Sequence, residues 1–278
     1  MIIDFHTHTF PDKIASVAIE KLKSASHTKA FTDGTDGKLL ASMASCGIEK
    51  SVVLPVATNP EKIPHINDIS AEKNRSGNLV YFAAMHPDFA DAKAELRRIR
   101  DLGIKGVKLH PVYQNIDFDD MRTLRILDFA EENDLITVVH AGLDVGFPGV
   151  ERCTPQMIKN AVSTVNPNRL VLAHMGGWKM WQDAKELLHG RGLFIDTSFS
   201  IGKMTQEVPY YSEKELELLS FDDAKSIIDA FGEDNVLFGT DSPWGDQKAE
   251  VSNISKLPVS DEAKEKILYK NASVLLGI

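Results

Sequence analysis

Cysteine is scarce in this chain of 278 residues: only Cys46 and Cys153 are present, far apart and in no Cys-x-x-Cys pattern. That argues against a thiolate metal site and suits a reducing compartment, with both thiols read as small buried side chains. Long hydrophobic runs are missing too. No apolar stretch reaches the ~20 residues that a spanning helix needs. The first residues lack the basic-then-apolar pattern of a secretory signal, so a cytoplasmic protein is expected. Positive charge is in deficit: the net charge of −9 argues against nucleic acid and anionic membrane surfaces as partners, which attract basic patches. A small molecule is the expected partner, and a homodimer is allowed. Finally, no Gly-x-Gly-x-x-Gly or Walker-type loop follows an early strand, which argues against an open nucleotide-binding sheet.

What the chain does have is a repeated unit. Hydrophobic content of 43% provides for a sizeable core. Eight short apolar runs recur: IIDFH at 2–6, SVVLPV at 51–56, LVYFAAM at 79–85, GVKLH at 106–110, ITVVH at 136–140, LVLAH at 170–174, LFIDTS at 193–198 and VLFGTD at 236–241. Several are continuously apolar, as strands buried on both faces should be. Helical spacing fills the gaps, as in Asp91 to Leu102, where Ala92, Leu96 and Ile99 form one stripe. Thr154-Pro155 reads as a helix start, and Gly103 and Gly190 as stops. The Lys- and Glu-rich final helix, Asp261 to Leu276, reads as a solvated face. Eight βα units without a linker predict one α/β domain over residues 1–278, a (β/α)8 TIM barrel. Two connections, 9–36 and 197–222, are unusually long and follow strand ends, so both are lid or pocket candidates.

The strand map gives meaning to the polar residues. Asp4-Phe5-His6-Thr7-His8 alternates, which puts positions 4, 6 and 8 on one face of a strand. Lys108 and His110 end the fourth run, His140 the fifth and His174 the sixth, while Asp241 follows the eighth. All lie at carboxyl ends of strands, hence on the rim where barrel enzymes carry out their chemistry. Imidazole and carboxylate together suit Zn²⁺, and also Mn²⁺, Fe²⁺ or Co²⁺.

The runs Asp4-Phe5-His6-Thr7-His8, Gly106-Val107-Lys108-Leu109-His110-Pro111, Val139-His140, Ala173-His174-Met175-Gly176-Gly177 and Gly239-Thr240-Asp241-Ser242-Pro243-Trp244 together resemble the amidohydrolase superfamily. The likeness is to the branch that includes aminocarboxymuconate-semialdehyde decarboxylase. That resemblance implies a distorted barrel and one divalent metal, usually zinc, held by His6, His8, His140 and Asp241. It makes Asp241 the base for a metal-activated water and His174 an acid/base or polarising group. Lys108, His110, Asp4 and Trp244 are then candidates for substrate binding or for support of the ligands. For Lys108 the alternatives are carboxylation to bridge a second metal, pairing with an acid such as Asp4, or binding of a substrate anion. Asp4 is expected to orient an imidazole from behind. Decarboxylases of this branch often carry glutamate in place of the first histidine of the pair; this chain keeps both. The reading that follows is a metal-dependent hydrolase of an amide, lactone or ring substrate, with non-oxidative decarboxylation as the alternative. A binding protein with a purely structural metal is a third reading, which a coordinatively open ion would exclude.

Overall fold

The computed structural model describes residues 1–74 and 77–278. Nine short parallel strands form the ring: β1 (Ile3–Thr7), β2 (Lys50–Val53), β3 (Leu79–Tyr81), β4 (Ala83–Ala84), β5 (Gly106–Leu109), β6 (Ile136–Val139), β7 (Leu170–Leu172), β8 (Phe194–Asp196) and β9 (Val236–Leu237). β1-β2-β3 and β4 through β9 are two hydrogen-bonded sets. β3 and β4 are halves of a single stave interrupted at Phe82, so eight staves stand where eight apolar runs predict them. The ring closes between its ends: Phe5 N–H donates to the Phe238 carbonyl at 2.7 Å, and Asp241 N–H to the His6 carbonyl at 2.8 Å. The architecture is an α/β TIM barrel.

Two apolar layers account for the closure. Inside, Ile3, Phe5, Val52, Phe82, Val138 and Val171 pack together, with the Phe5 and Phe82 rings edge-on at 5.9 Å. Outside, Val107, Leu109, Leu172 and Ile195 meet helix residues such as Leu96, Ile99 and Ile158. Each fully buried side chain of this kind contributes roughly 1.5–3 kcal/mol relative to exposure. The final helix does more than face solvent. Leu275, Leu276 and Ala272 join the inner layer. Its middle turn, Lys266–Lys270, is a π-turn, and the Ile267 carbonyl there accepts from Phe238 N–H at 2.9 Å.

Three expectations change in detail. The connection at 9–36 is not an open loop: it contains the 15-residue helix α1 (Asp12–Ser26). The connection at 197–222 carries the short helix Glu213–Leu216. The two long connections bind each other, through Lys29 N–H to the Thr205 carbonyl at 2.9 Å and Glu207 N–H to the His27 carbonyl at 3.0 Å. More consequential is a bulge in β1. Register slips by one residue between Asp4 and Thr7 against β2. An extra residue breaks the period-2 alternation, so Asp4 and His6 do not share a face. No helix among the described residues is long and apolar enough to cross a membrane. Cys153 is buried and Cys46 half-buried, both free.

Candidate metal centre

The bulge sends Asp4 away from the histidines. Its carboxylate accepts from Thr240 N–H at 3.0 Å, Thr240 Oγ1 at 2.6 Å, Gln247 Nε2 at 2.8 Å and His6 N–H at 3.2 Å. Burial pushes the Asp4 carboxyl up to about 7, against the pull of those donors. Asp4 therefore ties β1 to the segment carrying Asp241, and orients no imidazole. That role falls to Asp196, at the end of β8: its Oδ2 lies 2.8 Å from His6 Nδ1. Asp196 was not among the residues expected at the site, although its place within LFIDTS at the end of a rim strand was the available signal.

Hydrogen-bond partners fix the tautomers of the imidazoles. His6 Nδ1–H is donated to Asp196, and His8 Nδ1–H to the Leu54 carbonyl at 2.8 Å. Each Nε2 then carries a lone pair, that of His6 facing the Lys108 ammonium at 3.2 Å. These two Nε2 atoms face each other at 3.2 Å, with Asp241 Oδ1 at 3.1 Å from His8 and 3.5 Å from His6. Three acceptors without a proton to separate them repel unless a cation lies among them. Ligands about 2.1 Å from a tetrahedral ion sit about 3.4 Å apart, so these spacings fit one. His6, His8 and Asp241 are a group able to hold a divalent metal.

His140 stands elsewhere. Its Nε2–H is donated to the Leu143 carbonyl at 2.9 Å, which turns Nδ1 toward His174 Nε2 at 3.0 Å. His174 Nδ1–H is in turn held by the Ser198 carbonyl at 3.1 Å. A second pair of lone pairs thus faces across a short gap, and it too calls for positive charge. The structure does not group His140 with His6, His8 and Asp241, because the Leu143 carbonyl governs its ring. His140 groups instead with His110 and Asp144. That second group already has its protons. His110 Nδ1 accepts from Tyr113 N–H at 3.4 Å, which leaves Nε2–H to face Asp144 Oδ2 at 3.5 Å. His110 also caps the short helix Pro111–Gln114 and stacks between His140 and Tyr113, at 4.2 and 3.9 Å.

Lys108 pairs with no acid among the described residues. Its ammonium is buried and lies 3.2 Å from His6 Nε2, supplying a positive charge beside the acceptors. The expected pairing with Asp4 is excluded, since Asp4 is engaged elsewhere. Burial lowers the Lys108 pKa to about 8, while Asp196 and Asp241 pull it back up. Trp244 is half-buried and packs against the cluster of Trp178, Phe199, Met204 and Leu216 beneath the two long connections.

Burial dominates the imidazoles as well. It holds His6, His110 and His174 well below the usual histidine range and His140 down to about 3, reinforced by neighbouring cationic groups. The stabilisation these neutral rings contribute is present above pH 6.5 and lost as pH falls, because only the unfolded chain then binds protons. Asp4 and Glu250, raised to about 7 and about 8, act with the opposite slope: their contribution is lost as pH rises through those values. Global stability therefore mixes two signs, and ring titration is the cleaner readout. In metal-stripped protein followed by histidine NMR, His6, His110, His140 and His174 are expected to remain neutral from pH 8 to pH 5. A midpoint near 6.5 for any of the four would contradict this account of their burial.

A barrel with an imidazole–carboxylate centre on its carboxyl rim defines a class, and comparison identifies the family. A family model described as Amidohydrolase matches residues 3–278, and the chain belongs to that family of metal-dependent enzymes. No curated protein matches it in sequence. Among solved structures, it is similar to 5-carboxyvanillate decarboxylase from Sphingomonas paucimobilis, at 16% identity and a TM-score of 0.70, covering 100% of this chain and 99% of that one. A dihydroxybenzoic acid decarboxylase from a Polaromonas species, with bound manganese and the inhibitor 2-nitroresorcinol, is similar at 15% identity and a TM-score of 0.69, covering 99% and 96%. An uncharacterised TIM-barrel protein from Bordetella bronchiseptica is similar at 21% identity and a TM-score of 0.77, covering 99% and 98%. At these identities the likeness establishes the fold.

Proposed function

We propose that the chain is a metal-dependent carboxy-lyase that removes CO₂ from a small carboxylic acid. The observation that carries the reading is Lys108: a buried ammonium with no carboxylate partner among the described residues, placed against the acceptor cluster. A substrate carboxylate is the partner that such a charge lacks. The decarboxylases among the similar structures support the same reading. His6, His8 and Asp241 are the proposed ligands, and His140 Nδ1 is a further donor on the same rim. Zinc suits a donor set of imidazole and carboxylate, and manganese is the ion bound in the Polaromonas enzyme. When bound, the ion supplies a Lewis acid that orients substrate oxygens and takes up negative charge as the carbon–carbon bond breaks.

The chain's own groups do the rest. Lys108 fixes the carboxylate that leaves. Asp241, whose Oδ1 is the donor atom facing His8, accepts or returns a proton through its other carboxylate oxygen. His174 offers a bare Nε2, backed by the Ser198 carbonyl at Nδ1, as a site that first takes up a proton and then passes it to the carbon vacated by CO₂. Trp181 Nε1 donates to the His174 carbonyl at 3.0 Å and steadies that turn.

Hydrolysis is the second reading, favoured by one specific feature: both histidines of the first strand are kept. Product analysis in D₂O separates the two. Metal-loaded protein is screened against aromatic carboxylates, lactones and N-acyl compounds. Decarboxylation predicts trapped CO₂ and one deuterium on the product carbon. A new carboxylic acid formed without CO₂ would overturn the carboxy-lyase reading in favour of hydrolysis.

A further inference from the structure

We infer that Asp196 is the positioning residue that joins the metal ligands to His174, setting the tautomer of His6 and the backbone of His174 with one carboxylate. The inference rests on the reading of His6 as a ligand.

Asp196 is completely buried, and every contact of its carboxylate runs to this junction. Oδ2 takes the proton of His6 Nδ1 at 2.8 Å. Oδ1 accepts from His174 N–H at 3.0 Å, Ser198 N–H at 3.1 Å and the Ser198 hydroxyl. The Ser198 oxygen lies 3.1 Å from His6 Nδ1 and 3.0 Å from His174 Nδ1, so its lone pairs face both imidazole N–H groups. The Asp196 main chain adds a further hold: its carbonyl accepts from Met175 N–H at 2.7 Å.

What this hold restrains is a costly conformation. His174 and Met175 are left-handed, at φ 60° and 57°. Side chains with a Cβ are disfavoured there, and such strain persists only where neighbours over-determine it. Asp196 bonds both residues, one by side chain and one by main chain. A second observation fits: Gly239 borders the same junction. A Cβ at 239 would lie 2.9 Å from the Cβ of His6, 3.2 Å from that of Ser198 and 3.4 Å from that of Asp196. The φ of Gly239 is not positive, so the glycine serves close approach and not backbone freedom. Asp196, Ser198 and His6 meet where Gly239, just past the end of β9, leaves room for them.

The chemical consequence is specific. A carboxylate behind Nδ1 forces His6 to present Nε2 as its lone pair and raises its basicity toward a cation. An amide in that place accepts the proton more weakly and cannot supply the charge. Zinc affinity is measured by chelator competition for the parent, Asp196→Asn and Ser198→Ala. Histidine NMR of the zinc-loaded proteins is recorded alongside. Asp196→Asn is expected to weaken zinc binding about 10- to 100-fold; Ser198→Ala, which keeps the carboxylate, is expected to weaken it less. In the parent, His6 should show a protonated Nδ1 with a strongly downfield proton, and in Asp196→Asn that proton should move upfield. A purely structural role would not move that resonance. If Asp196→Asn does not fold, the parent spectrum decides alone, and an unprotonated His6 Nδ1 overturns the inference. Unchanged affinity in folded Asp196→Asn overturns the coupling and leaves the cation site standing. A parent that binds no zinc overturns both.

Discussion

Asp241→Asn is expected to fold as the parent does, retain part of its metal and lose turnover by about 10²–10⁴-fold, the range for removal of a positioned acid/base. Folding should survive because the position is left-handed, at φ 60°, a region in which asparagine is several-fold enriched. The main-chain bonds also remain: Asp241 N–H to the His6 carbonyl and Trp244 N–H to the Asp241 carbonyl, both 2.8 Å. The amide oxygen keeps a weaker donor atom between His8 and His6. What disappears is the negative charge 3.1 Å from His8 Nε2 and a group able to take up a proton. Turnover at saturating metal, metal content and melting temperature together test this. Parent-level turnover in the variant would remove Asp241 from the chemistry.

The barrel was largely legible because its signal is local. A buried parallel strand reads as a short apolar run, and each of the eight runs falls on a stave, the third split at Phe82. The rim residues followed from strand ends for the same reason. His6, His8, Lys108, His174 and Asp241 do converge. The structure departs from the expected arrangement where one residue or one carbonyl decides. A bulge of a single residue between Asp4 and Thr7 leaves no mark in composition, yet it moves Asp4 off the shared face and hands its expected role to Asp196. His140 is at the expected strand end, but the Leu143 carbonyl turns its ring toward His174, and no pattern in the sequence encodes that contact. Helix α1 was hidden within what reads as a long loop because Ile14 and Val17 are exposed, which blurs its apolar stripe.

The central claim is that converging lone pairs make a cation part of the native protein. His6 Nε2, His8 Nε2 and Asp241 Oδ1 lie within 3.5 Å of one another without a proton between them. Of these, Lys108 reaches only His6 Nε2, at 3.2 Å; an acceptor left without a partner costs about 1–3 kcal/mol, more for a charged one, to the extent that it is buried. An ion removes that repulsion and stabilises the fold, by ~4 kcal/mol at a free concentration near 1,000 times its Kd. The effect on activity is larger still, since none of the described side chains at that point is a Lewis acid. The most direct measurement is elemental analysis of purified protein, counted per chain, before and after chelation. The account predicts about one divalent ion per chain, loss of activity and a lower melting temperature on chelation, recovery of both with zinc or manganese, and no retained ion in a His6→Ala/His8→Ala protein. Activity that survives complete removal of metal, or an unchanged ion count in the double variant, would contradict it.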